Sequence, residues 1–278
     1  MDNTLHLIQQ AIAEDLGDGD HTSLATIPED ARGKMKLLVK EDGIIAGEEI
    51  ARLVFQKIDP EISIEVLIPD GSPIKRGDIV FYVSGSCRSM LTAERTMLNY
   101  LQRMSGIATA THSYTRLLEG TKARLLDTRK TTPNMRVFEK MAVVIGGGMN
   151  HRMGLYDMVM IKDNHVDFAG GIKQAIEAEH AYLARMGKKL KIEIEVRNVD
   201  ELRQVLDVGG VDRIMLDNFS PRDLKNAVEI IDGKFETEAS GGINHENIRE
   251  YALTGVDFIS VGAITHHISS LDLSLKAM

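Results

Sequence analysis

Apolar positions recur along this 278-residue chain with two different periods, and the change of period divides it. Leu5, Ile8, Ile12 and Leu16 stand at helical spacing, so a helix is predicted over residues 4–15. Short apolar runs at 34–40 (KMKLLVK), 62–67 and 79–83 predict strands, punctuated by turns at Asp70-Gly71 and Gly77-Asp78. A helix is predicted between them at 47–57, and residues 90–118 read as largely helical with an interruption near Ser105-Gly106. The first part of the chain is therefore α+β with small strands.

From about residue 123 the pattern changes. Runs at 123–127 (ARLLD), 158–162 (MVMIK), 191–196 (KIEIEV), 213–217 (RIMLD), 235–240 (FETEAS) and 258–262 (FISVG) read as strands. Helical patterning separates them at 135–145, 171–186, 199–208, 221–231 and 245–253, with capping residues expected at Ser220-Pro221 and Asn244. Alternating strands and helices imply a parallel sheet with right-handed crossovers. The residues closing the runs, Arg129, Lys162, Glu195, Asp217, Ser240 and Gly262, are separated by 33, 33, 22, 23 and 22 positions, close to one βα module each. Polar chemistry at every strand end favours a β/α barrel, of eight strands or fewer, over a doubly wound sheet with one phosphate loop.

Composition narrows the function. The 33 Lys and Arg against 41 Asp and Glu give a net charge of −8, which argues against a general nucleic-acid binder. Residues 1–87 carry net −8, residues 88–165 net +6, and residues 166–278 net −6. A basic segment inside an acidic chain suits a focused pocket for a small anion. The single cysteine, Cys87, excludes an intramolecular disulfide and suggests a reducing compartment, with cytoplasm as the default. The opening residues lack the pattern of a signal peptide, and no apolar stretch approaches the ~20 residues that span a bilayer, so no membrane association is expected.

Candidate chemistry collects at the strand ends. Adjacent Arg129 and Lys130 offer a planar fork and a point charge for a carboxylate or phosphate. The stretch GGGMNHRMGL places His151 and Arg152 after three glycines that permit close backbone approach. Lys162, following four apolar residues, is expected to be buried or to point into a site, as a Schiff-base former or a fixed cation. Glu195 and Asp217 supply opposite charge, suited to a cationic transition state or to Mg²⁺ through water. Ser240, Gly241, Gly242 and Gly262 form the expected phosphate cradle, each loop preceding a helix N-terminus.

The strings TAERTMLNYLQRMSGIAT, DTRKTTPNMRVFEKMAV, GGGMNHRMGLYDMVMIKDNH, RIMLDN and EASGGI, with the early EDLGDGDHT, closely resemble the quinolinate phosphoribosyltransferase family. The resemblance implies an N-terminal α/β sandwich (1–104), an α/β barrel with an incomplete strand count (105–265), and a tail (266–278) returning to the first domain. It implies a homodimer with shared active sites, and a pentosyltransferase that joins quinolinate to phosphoribosyl pyrophosphate with Mg²⁺ and no organic cofactor. The products would be nicotinate mononucleotide, CO₂ and pyrophosphate, a step of NAD biosynthesis. Arg129, His151, Arg152 and Lys162 match positions that hold the quinolinate carboxylates, with Thr128 beside them and Arg95 contributed by the partner subunit. Lys130, Glu195, Asp217, Ser240 to Gly242 and Gly262 match positions that engage the phosphoribosyl donor and its metal, and Lys162, Glu195 and Asp217 are the expected catalytic set. Two departures stand out. The chain has Asn134-Met135 where the family usually has Gly-Leu, and Met141 where it usually has an aromatic residue. Asn tolerates left-handed backbone nearly as Gly does, so the loop need not change.

Other readings use the same residues. A relative with this fold and donor but a different acceptor, such as the family's molybdenum-associated branch, keeps most of the motifs. A Schiff-base lyase would use Lys162, and a non-catalytic binding module would leave Glu195 and Asp217 without a purpose.

Overall fold

The computed structural model describes residues 2–278, which fall into two compact units. One comprises the residues up to 112 with 131–147 and 264–278; the other comprises 113–130 and 148–263. Among the described residues, no helix is long and apolar enough to cross a membrane.

In chain order the elements are α1 (Asp2–Leu16), α2 (His21–Thr26), β1 (Arg32–Val39), β2 (Gly43–Ile44), α3 (Glu48–Ile58), β3 (Ser63–Val66), β4 (Pro73–Ile74), β5 (Ile79–Ser86) and α4 (Cys87–Leu117). There follow β6 (Arg124–Leu126), α5 (Arg136–Ile145), β7 (Val159–Ile161), α6 (Asp163–Ala169), α7 (Ile172–Met186), β8 (Ile192–Val196) and α8 (Val199–Val208). The chain continues through β9 (Arg213–Asp217), α9 (Pro221–Ile231), β10 (Glu236–Ser240), α10 (Ile248–Ala252), β11 (Phe258–Ser260), α11 (Ala263–His266) and β12 (Leu273–Ala277).

The first unit is built on a four-stranded antiparallel sheet of order β12-β1-β5-β3. Alternate residues of β1, Met35, Leu37 and Val39, are buried, as the period-2 pattern requires. Ile50, Val54 and Phe55 of α3 and Met97, Leu101 and Met104 of α4 are buried in the same unit. The interruption predicted near Ser105-Gly106 is absent, and α4 runs unbroken through both residues. They are there for packing. The Ser105 hydroxyl accepts from the Ala46 N–H at 3.0 Å, and a Cβ on Gly106 would collide with the Ser269 carbonyl oxygen. Gly146 plays a similar part, its bare Cα lying against Ala108 and Thr111 of α4.

The second unit is a six-stranded parallel sheet of order β6-β11-β10-β9-β8-β7. From β7 to β11 each strand pairs with the next in sequence, and the last, β11, pairs with the first, β6, which leaves β6 and β7 as the two edges. That cyclic order belongs to a barrel; a doubly wound sheet reverses direction at its middle. At the free edge of β6 a single parallel bridge, Leu126 to Met149, extends the series. The fold thus comprises an α/β barrel with fewer than eight strands and a separate α/β sheet unit. Ser220 caps α9 by accepting from the Asp223 N–H, with Pro221 in the first turn. Asn244 departs from expectation: α10 begins only at Ile248, and the Asn244 side chain instead accepts from the N–H groups of Glu246 and Asn247 in a turn ahead of it.

Candidate active site at the barrel strand ends

In parallel strands i and i+2 share a face, so KIEIEV places Glu193 and Glu195 on the same side of β8. By the same rule Arg213, Met215 and Asp217 share a face of β9, and Glu236, Glu238 and Ser240 a face of β10. The barrel interior therefore carries charge along its length, where apolar layers are usual.

The upper end holds most of the residues expected from sequence. Thr128, Arg129 and Lys130 follow β6, with Arg129 and Lys130 exposed. Lys162 follows β7, Glu195 lies near the end of β8, Asp217 and Ser240 end β9 and β10, and Gly262 follows β11. His151 and Arg152 come from the segment that runs on from the Met149 bridge beside β6. Arg95 is not a strand-end residue; it is an exposed side chain of α4 in the other unit.

Lys162 is half exposed rather than buried, and its Nζ stands 3.5 Å from Oε2 of Glu195. Burial and the nearby charges of Asp217 and Asp163 push the Glu195 carboxyl above its usual range, against the pull of Lys162. Glu195 and Asp217 therefore feel each other's charge from adjacent strands, a pair that a divalent cation would relieve. Arg152 is shifted down by burial and then by repulsion from Arg129, so the two guanidiniums share one neighbourhood. Its Nη1 donates to the Met158 carbonyl at 3.2 Å.

The glycine loop after β10 is shaped by its neighbour. Gly241 has φ +90°, and a Cβ there would strike the Asn218 side chain, which itself follows Asp217 with φ 57°. Of the two expected helix N-termini only one is adjacent: Gly262 immediately precedes α11, whereas α10 starts several residues beyond Gly242.

Beneath this rim lies a charged cluster that the sequence reading missed. His151 Nε2 is 2.9 Å from Oε2 of Glu193 and 3.4 Å from Oε2 of Glu238, and Arg213 Nη1 is 3.1 Å from the same Glu238 oxygen. Glu193 and Glu238 are fully buried and His151 nearly so. Burial opposes a charged imidazole, but Glu193 and Glu238 outweigh it and lift His151 to about 9. The Arg152 N–H, 2.6 Å from Nδ1, counts the other way, so Nε2 is the nitrogen that carries hydrogen throughout. Burial beside Glu238 raises Glu193 to about 7. Asp127, also fully buried, accepts the His151 N–H at 2.8 Å. The three ligand-type atoms of His151, Glu193 and Glu238 lie within 4.8 Å of one another, but the Arg213 guanidinium supplies the positive partner there. The signal available in the sequence was the alternation of Glu with apolar residues in strands whose flanks are apolar.

Cations and carboxylates facing one another at the C-terminal ends of barrel strands define an enzyme site for small anionic substrates. Comparison with known proteins is specific. Residues 20–105 match the quinolinate phosphoribosyl transferase N-terminal domain, and residues 107–276 match the C-terminal domain of the same family. A chloroplastic carboxylating nicotinate-nucleotide pyrophosphorylase of Arabidopsis thaliana is 44% identical, over 97% of this chain and 81% of the relative. A probable carboxylating nicotinate-nucleotide pyrophosphorylase of Bacillus subtilis is 37% identical, over 97% and 91%. The solved nicotinate-nucleotide pyrophosphorylase of Francisella tularensis superposes with a TM-score of 0.92 at 42% identity, covering 100% of this chain and 96% of that one. The chain belongs to the quinolinate phosphoribosyl transferase family.

Proposed function

We propose that this protein transfers the phosphoribosyl group of phosphoribosyl pyrophosphate to quinolinate with loss of CO₂, giving nicotinate mononucleotide and pyrophosphate for NAD biosynthesis. The observation that carries the reading is one rim holding two faces. Arg129, Arg152 and Lys162 offer cations to a dicarboxylate, while Glu195 and Asp217 on the adjoining strands offer negative charge to a developing ribosyl cation.

The charges of Arg129 and Arg152 repel each other, and a bound dicarboxylate would accept from both. Held by them, the pyridine nitrogen is aimed at the anomeric carbon, mainly a proximity effect. Lys130 and the Ser240-Gly241-Gly242 and Gly262 backbone, which close or follow β6, β10 and β11, would take the donor's phosphates. Glu195 and Asp217 would hold Mg²⁺, which supplies charge neutralisation to the pyrophosphate leaving group. Once the ring nitrogen is alkylated, the pyridinium accepts the electron pair left by departing CO₂, so no organic cofactor is called for. A Schiff-base role for Lys162 is disfavoured, because its amine is half exposed and 3.5 Å from the Glu195 carboxylate, not enclosed in an apolar pocket.

The homodimer follows from the same reading, with exposed Arg95 reaching the partner's site. The single cysteine, Cys87, favours the cytoplasm. The test is incubation with phosphoribosyl pyrophosphate, Mg²⁺ and either quinolinate or nicotinate. CO₂ and pyrophosphate released together only with quinolinate support the reading; turnover of nicotinate alone replaces it with a different acceptor.

A further inference from the structure

We propose that Glu193 and Glu238 are positioning residues of the acceptor pocket: they fix the imidazole of His151, and His151 in turn fixes the main chain that carries Arg152. This deepens the function proposed above and rests on it for the identity of the acceptor.

Two guanidiniums destined for one dianion must be held close before it arrives, and like charges resist that. Something must hold Arg152 in place. Its guanidinium has a carbonyl anchor at Met158, but its backbone sits in an irregular segment with no regular ladder to define it. What defines it is His151. The residue is pinned at two points, by Asp127 at its N–H and by the carboxylates of Glu193 and Glu238 at Nε2. With Nε2 turned toward the carboxylates, Nδ1 lies 2.6 Å from the Arg152 nitrogen and accepts its N–H when the ring is neutral.

The carboxylates have few other duties. Neither oxygen of Glu193, nor Oε1 of Glu238, nor Nε2 of His151 makes a hydrogen bond of good geometry, although all three side chains are buried, so the carboxylates hold the ring by charge at close range. Burying carboxylates under an anion-binding pocket is unfavourable for anion binding by charge alone, and costly for stability. Their presence is explained if orientation outweighs both. Arg213, from the strand between them, balances the charge: it bonds Glu238 through Nη1 and Glu236 through Nη2, each at 3.1 Å, and stacks over Phe258 at 4.1 Å.

The two possible roles predict opposite signs. If the carboxylates act only through charge, removing one makes the pocket more positive and quinolinate binds more tightly. If they position His151 and Arg152, removing one loosens the pocket and quinolinate binds more weakly. The experiment is steady-state kinetics on Glu193→Gln and Glu238→Gln, each isosteric with the native residue. The expected result is a rise in the quinolinate KM of about tenfold to a hundredfold, with the phosphoribosyl pyrophosphate KM moved by less than about twofold. An unchanged or lowered quinolinate KM overturns the proposal, as does an equal rise in both constants. Hydrogen exchange at the Arg152 amide of the native protein serves should both variants fail to fold. Slow exchange is expected, and exchange at the rate of an open loop overturns the proposal. A transition metal retained in stoichiometric amount by the purified protein also overturns it, since the carboxylates would then serve an ion. Because amide exchange needs no substrate, it stands even if native protein fails to turn over quinolinate, which would sink only the proposed function.

Discussion

Lys162 Nζ and Glu195 Oε2, 3.5 Å apart, join the ends of two paired barrel strands, β7 and β8. The cation that would hold the acceptor thus lies beside a carboxylate assigned to the donor. Replacing Lys162 or Arg129 by Ala is expected to lower kcat/KM for quinolinate by about 100-fold or more, equivalent to ~2.7 kcal/mol of transition-state stabilisation. Near-native values in both variants would remove these residues from the site.

The donor side is tested separately. Glu195→Gln and Asp217→Asn are expected to raise the Mg²⁺ concentration needed for half-maximal rate by about tenfold, since each removes one charge from the pair. Quinolinate binding measured calorimetrically without donor should change little. A Mg²⁺ dependence identical to the native protein's would place the metal elsewhere.

Stability at acid pH has an identifiable contributor. Burial pushes Asp257 up, but Lys122 at 2.8 Å and the Thr237 N–H and hydroxyl at 2.9 and 2.7 Å more than reverse it. A carboxyl held below its ordinary value stabilises the fold above that value, and the contribution disappears as pH falls through the folded-state value. Asp257→Asn should therefore lower stability at pH 7 by about 1–2 kcal/mol, read as a lower Tm, and the gap should close as pH falls through the folded-state value. A gap independent of pH would assign the loss to packing.

The unbroken course of α4 yields a stability prediction. Gly106→Ala places a methyl group against the Ser269 carbonyl, with backbone on both sides of the clash, so helix propensity should be outweighed. A loss of about 1–3 kcal/mol is expected in thermal or urea unfolding. A stabilised variant would show that the 269–270 segment yields easily.

Much of the barrel was legible because its strands and helices differ in period: α8 and α9 occupy the residues that the pattern assigns to them. Asn134 was read correctly as able to take left-handed backbone, and its φ is 64°. Other features depend on distant partners. Ser105-Gly106 looks like a helix break until the chain near Ser269 is placed against it. Glu193, Arg213 and Glu238 look like ordinary strand polars, because their meaning lies in pairing across three strands, which no local window contains. The rim residues end their apolar runs and announce themselves; the residues beneath sit inside those runs.

The sheet of the first unit also fixes an order of events. β1 pairs with β12 in a register that joins Met35 to Ala277, so two neighbouring strands are separated by roughly 240 residues of chain. Until β12 is made, β1 offers Leu37 and Lys36 along an open edge, the kind of surface that invites wrong partners. The barrel strands from β7 to β11 pair with sequence neighbours, and only the pairing of β6 with β11 spans a comparable stretch, 134 residues from Arg124 to Phe258. The strand made last is therefore the one that covers the β1 edge and protects the first unit from aggregation.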